Sequence, residues 1–158
     1  MSKRVVVACV GNPLTGDDGL GCVVASLLRS FRLPQEVEVV DVGVGGLDLL
    51  DALRGSSYAI IVDAVRGDEP GKLVRVEYKE LARLKMPFPI HVHELGVVEA
   101  LDLGYSVFPE DMPQRVVLLG VVGQKFEGEG LSQPVRRALP ALLRALLDEL
   151  LNAPEHES

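Results

Sequence analysis

Residues 9–21 read Cys-Val-Gly-Asn-Pro-Leu-Thr-Gly-Asp-Asp-Gly-Leu-Gly, and this stretch decides how the rest of the chain is interpreted. It follows a short run of mostly β-branched residues, Val5–Ala8, which is typical of a buried strand. It leads directly into apolar residues that recur at helical spacing from Leu20 to Leu28. The stretch is therefore predicted to be a corner between a strand and a helix, the place where open α/β sheets bind their ligands.

A glycine-rich corner of this kind can bind phosphate, but this one lacks the residues for it. It contains neither G-x-G-x-x-G nor G-x-x-x-x-G-K-[ST], and no basic residue stands between Arg4 and Arg29. Asp17 and Asp18 would also repel a phosphate at the positive end of the helix. One of the two aspartates is a good helix cap, yet a single cap does not account for both. The second carboxylate is interpreted as a cation ligand or an acid–base group.

Composition and charge exclude several classes of protein. The 158 residues are predicted to form one α/β domain over residues 1–151, followed by a polar tail at 152–158. Hydrophobic residues make up 47% and charged residues 25%, the balance of an ordinary globular protein. A net charge of −7 argues against nucleic acid and against an anionic membrane as partners.

The first residues and the cysteines indicate where the protein works. Only six apolar residues follow Arg4, too few for a secretory signal or a membrane span, so we expect a cytoplasmic protein. Cys9 and Cys22 lack the C-x-x-C spacing of redox and metal motifs. They are predicted to be buried free thiols, as is usual in the cytosol.

Strand and helix patterns alternate along the chain. Four further apolar stretches are predicted to be strands: Val37–Val40, Tyr58–Val62, Lys72–Tyr78 and Val116–Val122. Helices are predicted after residue 20, over Leu47–Leu53, from near Glu94 to Leu103, and from Ser132 to Leu150, where Pro140 should kink the helix or mark its start. Prolines predict an irregular, mobile loop over 81–89. The alternation predicts an α/β sandwich with a sheet of about five strands.

Three side chains fall where predicted strands meet loops, namely Asp18, Asp63 and His93. Asp63 follows the most apolar run, where it either caps a turn or reaches a ligand. His93 stands at a helix start, where an imidazole stays neutral and can ligate a metal. His91 shares a face with His93 if the segment is extended, which makes it a weaker candidate. The segment is not H-E-x-x-H, which excludes a thermolysin-like zinc site.

Other catalytic classes find little support in the sequence. No G-x-S-x-G elbow is present, and neither cysteine has the exposed setting that a nucleophile needs. Two carboxylates and one imidazole form an incomplete coordination set for a divalent ion, which ligand preferences do not assign among nickel, zinc and cobalt. Asp18, Asp63 and His93 are predicted to converge, with donor atoms within about 5 Å of one another.

Four motifs together resemble the hydrogenase maturation proteases. The long first motif covers residues 11–21, and the others are Asp41-Val42-Gly43, Ile61-Val62-Asp63-Ala64 and His93-Glu94-Leu95-Gly96, in the same order as in the family. The similarity runs from about Val5 to Leu150. It implies a three-layer sandwich in which a mixed, mostly parallel sheet lies between helices.

The resemblance also implies an activity. Family members remove the C-terminal extension of the nickel–iron hydrogenase large-subunit precursor once nickel is inserted. By resemblance, Asp18, Asp63 and His93 contact that nickel. A precursor anchored there would place the peptide bond beside Asp18 and Asp63, which are therefore the predicted catalytic carboxylates. The nickel belongs to the precursor, and no tightly bound metal of the protease itself is expected. Five further residues are candidates for substrate binding: Asn12, Asp17, Asp41, Gly43 and His91.

Two alternatives remain open at this point. The same fold and site would suit a metal-binding or assembly module that cleaves nothing. They would also suit a hydrolase of another small substrate.

Overall fold

A computed structural model describes residues 4–44, 46–80, 91–92 and 95–152. The strands of this part of the chain are β1 Val5–Val10, β2 Val37–Gly43, β3 Tyr58–Arg66, β4 Leu73–Glu77, β5 His91–Val92 and β6 Arg115–Val122. Its longer helices are α1 Leu20–Leu28, α2 Leu47–Leu53, α3 Leu95–Val107 and α4 Gln133–Asn152, and a 3₁₀ helix, Gly16–Gly19, precedes α1. The loop predicted over 81–89 and most of the tail predicted at 152–158 lie outside the described residues.

The strands form one mixed sheet in the order β2-β1-β3-β6-β4. All neighbours in this order are parallel except β4, which runs antiparallel to β6 at one edge. The two-residue strand β5 pairs antiparallel with the end of β3. The predicted three-layer sandwich with a mostly parallel sheet of about five strands is confirmed. Strand β5 was not predicted, because two residues are too few to form a recognisable strand pattern.

Helices cover both faces of the sheet, which explains why the central strands read as continuous apolar runs. On one face, α1 and α4 bury a core that includes Leu20, Leu28, Ile60, Leu119, Leu142 and Leu146. On the other face, α2 and α3 bury a core that includes Leu49, Leu53, Ile61, Val97 and Leu101. Alternate residues of β3 supply both cores, as the two-residue period of a strand requires.

The final helix is a single element that contains Pro140. Of the two alternatives predicted for Pro140, a kink or the start of the helix, the second is therefore wrong. The helix begins at Gln133, directly after Ser132, so proline stands in its second turn. None of the helices in the described part of the chain combines the length and apolarity needed to cross a membrane.

A network of polar side chains connects α4 to the edge of the sheet where the parallel strands begin. The carboxylate of Glu149 accepts a hydrogen bond from the Tyr58 hydroxyl at 2.6 Å and another from Arg75. Arg115 donates two hydrogen bonds to Glu77, at 2.9 and 3.1 Å. Burial alone would raise the pKa of Glu149, but the hydrogen bonds from Arg75 and Tyr58 outweigh it and lower that pKa. The network lies at the opposite end of the sheet from the predicted site.

Candidate active site

Asp17 is held entirely inside the protein. Its Oδ2 accepts hydrogen bonds from the backbone N–H groups of Gln124 at 2.7 Å and Lys125 at 2.9 Å, and from the Ser132 hydroxyl at 2.8 Å. Its Oδ1 accepts one from the Ser132 N–H at 2.6 Å. Asp17 therefore fastens the 3₁₀ helix to the loop over 123–132, which follows β6 and precedes α4.

The ionised form of Asp17 is the one this arrangement favours. Burial alone would raise its pKa, but the hydrogen bonds from Lys125, Ser132 and Gln124 outweigh it, so the pKa lies below its ordinary value of 3.8. The sequence analysis made Asp17 a candidate for binding substrate. The structure instead commits its oxygens to four donors of the protein itself.

Asp18 is also buried, but it faces the loop after β1. Its Oδ2 accepts hydrogen bonds from the Asn12 N–H at 3.2 Å and from the Thr15 hydroxyl at 3.1 Å. The Asn12 side chain meanwhile accepts a hydrogen bond from the Leu14 N–H at 2.9 Å, which tightens the turn. The two adjacent aspartates thus point to different parts of the structure.

Gly11 allows the loop to close over Asp18. It has φ of +146°, and a Cβ placed there would lie 1.9 Å from the Asp18 carbonyl oxygen. No side chain fits that space, so the glycine is required by a close backbone approach. The Gly11 N–H also donates to the carbonyl oxygen of Gly43, which joins the ends of β1 and β2.

Asp63 lies inside β3 rather than after it. The strand continues to Arg66, so the interpretation of Asp63 as a residue beyond the strand end, or as a cap for the next turn, is wrong. The strand is longer than its apolar run because β6 pairs with it as far as Val65 and β5 pairs with Val65 and Arg66. Asp63 is fully buried and pairs with Gly120 of β6.

Asp63 nevertheless lies beside an opening in the sheet. On the side of β3 that faces β1, pairing stops at Val62 and resumes with β5 only at Val65. Asp63 thus lies beside the gap between the end of β1 and the start of the pairing with β5. Its side chain projects to the same face as Ile61, toward α2 and α3, because side chains alternate along a strand.

Three segments meet at this carboxyl-terminal edge of the sheet. The 3₁₀ helix that carries Asp18 packs against β3. The antiparallel pairing of His91 with Arg66 brings β5 to the same edge. His93, one residue beyond β5, lies outside the described residues, so its convergence with Asp18 and Asp63 stays a prediction. Within 4–44, 46–80, 91–92 and 95–152, no three His, Cys, Asp or Glu side chains form a group that could hold a metal ion.

Asp41 and Gly43 lie across β1 from Asp63. Asp41 pairs with Cys9 and is exposed, and its Oδ1 lies 3.8 Å from the Cys22 sulfur. Gly43 adopts φ of +79°, a conformation that glycine tolerates best. Both residues border the loop after β1. Of His91, the structure describes only the backbone pairing.

Both cysteines are free, as predicted. Cys9 is buried and Cys22 only partly so. Burial raises the pKa of Cys9 to about 12, and burial together with nearby Asp41 raises the pKa of Cys22. Neither thiol has the lowered pKa of a nucleophile.

The sequence analysis assigned no role to the loop over 123–132, which the structure places beside the site. A Cβ at Gly123 would lie 2.6 Å from the Phe126 ring and 3.0 Å from the Cβ of Asp17. The guanidinium of Arg66 stacks over the same ring, 4.4 Å from its centroid. The glycines of this loop could have indicated close packing. The residue that packs against the loop, Asp17, could not have been identified, because it is more than 100 residues away in sequence.

The fold and the site define an α/β protein with buried carboxylates at the carboxyl-terminal edge of its sheet. A family model described as "HycI: Hydrogenase maturation protease" matches residues 22–149. The chain is also 29% identical to the Hydrogenase 2 maturation protease of Escherichia coli (strain K12), over 95% of this chain and 90% of that protein.

Solved structures agree with this match. The hydrogenase maturating endopeptidase HybD from E. coli superimposes with a TM-score of 0.81 at 28% identity, over 95% of this chain and 93% of that one. The hydrogenase 2 maturation peptidase from Thaumarchaeota archaeon SCGC_AB-539-E09 has a TM-score of 0.68 at 31% identity, over 94% and 98%. The chain belongs to the hydrogenase maturation protease family, and it is an endopeptidase of that family.

Proposed function

We propose that the protein removes the C-terminal extension of a nickel–iron hydrogenase large-subunit precursor after nickel has been inserted. The observation that carries this proposal is the placement of Asp63. It is fully buried within β3, beside the interruption between β1 and β5 and at the edge to which the Asp18 loop packs. A titratable group buried beside an opening at this edge of an α/β sheet is a candidate for a functional site.

Nickel recognition explains why the site combines two carboxylates with an imidazole. Asp18, Asp63 and His93 together supply only part of a coordination shell, so they hold a free divalent ion weakly. The precursor's own ligands hold its nickel and complete the shell. The metal is thus part of the substrate, and the protease needs no tightly bound metal of its own.

The same contact positions the peptide bond that is cut. Anchoring the precursor through its nickel brings the C-terminal extension beside Asp18 and Asp63. One carboxylate of the pair accepts a proton from an attacking water, in the manner of general base catalysis. The reaction is therefore of the aspartyl type, and a precursor without nickel lacks the anchor.

The neighbouring residues have separate parts in this proposal. Asn12 in the loop after β1, together with Asp41 and Gly43 beside it, contacts the precursor around its nickel, and His91 of β5 contributes a further contact. Asp17 shapes the site by fixing the loop over 123–132. We place the reaction in the cytoplasm, because two free cysteines suit a reducing compartment.

The test is cleavage of purified nickel-loaded precursor, followed by mass spectrometry of the released C-terminal peptide. The protein should release that peptide and leave casein intact. Asp18→Ala, Asp63→Ala and His93→Ala should each lower the cleavage rate by at least about 100-fold while the circular dichroism spectrum stays unchanged. No release by the wild-type protein would favour a non-proteolytic assembly module, and full activity of His93→Ala would remove the histidine from the site.

A further inference from the structure

The two helices on the Asp63 face leave a groove between them. The groove has a volume of about 410 Å³ and is bordered by Leu47 of α2 and by Gly96 and Leu103 of α3. Leu50 and Ala100, both buried, form its floor. A Cβ at Gly96 would meet no atom of the described residues within 4 Å, so among these residues this wall of the groove is open.

The groove begins at the same end of the sheet as the site. Gly46 and Gly96 line it and lie at the amino-terminal ends of α2 and α3. Helix α2 follows β2 directly, and α3 follows β5. Both helices therefore begin at the carboxyl-terminal edge, where Asp18 lies, and both cover the face toward which Asp63 projects.

The rim of the groove exposes large apolar side chains. Leu47 is 71% exposed and Leu103 is 46% exposed. Val44, two residues before Gly46 in the sequence, is 59% exposed. Single exposed leucines are ordinary, but leucines on both walls of one groove are typical of a surface that another chain covers.

The two helices that border the groove carry charge of one sign only. Helix α2 carries Asp48 and Asp51, and α3 carries Glu99 and Asp102, whereas neither helix contains a lysine or an arginine. Glu99 lines the groove itself. A surface of this kind attracts a segment that combines apolar with basic side chains. A second copy of this chain would bring the same four carboxylates and be repelled.

We propose that this groove docks an apolar, basic segment of the large-subunit precursor while the precursor's nickel occupies the adjacent site. The inference rests on the proposed function, which supplies the identity of the partner. It adds a second anchor that holds the precursor independently of the metal. Docking of this kind raises the local concentration of the C-terminal extension at Asp18 and Asp63.

The test measures the affinity of nickel-loaded and of nickel-free precursor for groove variants by isothermal titration calorimetry. Leu47→Asp, Leu103→Asp and Glu99→Lys should each weaken binding of both forms by at least about tenfold. In cleavage assays the same variants should raise KM and leave kcat unchanged. Leu151→Asp and Asp148→Lys are matched controls on α4, where Leu151 is 73% exposed, and they should bind like the wild type.

The outcomes separate docking from the proposed reaction. If the wild type cleaves the precursor and the groove variants bind it normally, docking at the groove is wrong and the reaction stands. If the wild type binds through the groove but releases no peptide, the reaction fails and docking stands. Absence of any precursor binding by the wild type overturns docking.

Two other occupants of the groove would give distinct results. Residues 81–90 of this chain, Leu-Ala-Arg-Leu-Lys-Met-Pro-Phe-Pro-Ile, also combine apolar and basic residues. If they fill the groove, Glu99→Lys lowers the melting temperature and leaves precursor binding unchanged. A second copy would instead make the molecular mass in sedimentation depend on Leu47 and Leu103. Either result contradicts the proposal.

Discussion

Asp17 and Asp18 are adjacent, yet the structure predicts different effects when each is replaced by asparagine. Asp17→Asn should lower the stability of the protein, whereas Asp18→Asn should lower its cleavage rate. The Asp17 carboxylate accepts four hydrogen bonds, three of them from backbone N–H groups. An asparagine side chain keeps one acceptor oxygen and places an NH₂ group where the other oxygen stood. In either orientation that NH₂ group faces at least one backbone donor.

The magnitude follows from these contacts. Losing a charge-assisted hydrogen bond and leaving a buried donor unpaired costs about 2–3 kcal/mol. For a chain of this size that corresponds to a fall in melting temperature of about 4–12 °C for Asp17→Asn. In Asp18→Asn the amide oxygen can still accept from the Asn12 N–H and the Thr15 hydroxyl, so its melting temperature should fall less than that of Asp17→Asn.

The assay pairs calorimetry with cleavage of the nickel-loaded precursor. Asp18→Asn should lose at least about 100-fold in cleavage rate with little loss of stability. Asp17→Asn should lose stability, and its amide groups in the loop over 123–132 should exchange hydrogen faster. Equal stability losses in the two variants, or an unchanged melting temperature in Asp17→Asn, would refute the assignment of Asp17 as the fastening residue.

Three further predictions concern acid, backbone space and thiol chemistry. Glu149 has a pKa below its ordinary value of 4.5, so the stability that it contributes with Arg75 is complete above about pH 5 and is lost as the pH falls below 4.5. Thermal unfolding from pH 7 to pH 3 measures this loss, and a melting temperature that does not change with pH would contradict it. Gly11→Ala should abolish cleavage and destabilise the fold by several kcal/mol, because a Cβ would lie 1.9 Å from the Asp18 carbonyl oxygen; a melting temperature like that of the wild type would rule out this packing. Cys22 has a raised pKa and should react with iodoacetamide at pH 8 more slowly than free cysteine, and faster labelling would show that its surroundings are different.

The sequence predicted the layers of this protein well, because buried strands between helices leave continuous apolar runs. Tyr58–Val62 identified the central strand without any knowledge of its neighbours. The end of that strand could not be predicted, since it depends on pairing with β6 as far as Val65 and with β5 at Val65 and Arg66. Long-range pairing of a two-residue strand leaves no local pattern.

The candidate site was likewise predictable from the sequence only in part. One of the two adjacent aspartates was predicted to cap the helix, and this is wrong, because the N-cap residues are Thr15 and Gly19. The inference that at least one aspartate has a role other than capping agrees with the structure. The local sequence could not predict that Asp17 fastens the loop over 123–132 while Asp18 faces the loop after β1. Asp17 finds its donors at Gln124, Lys125 and Ser132, and only the folded chain brings these together.

The most direct test of the account is the ratio of single-turnover cleavage rates for nickel-loaded and nickel-free precursor under otherwise identical conditions. If the precursor's nickel anchors the substrate at Asp18, Asp63 and His93, the loaded form should be cleaved at least about 100-fold faster. The ratio should fall toward one in His93→Ala, because that variant cannot use the anchor. Equal rates for the two forms with the wild-type protein would contradict nickel recognition as the basis of this reaction.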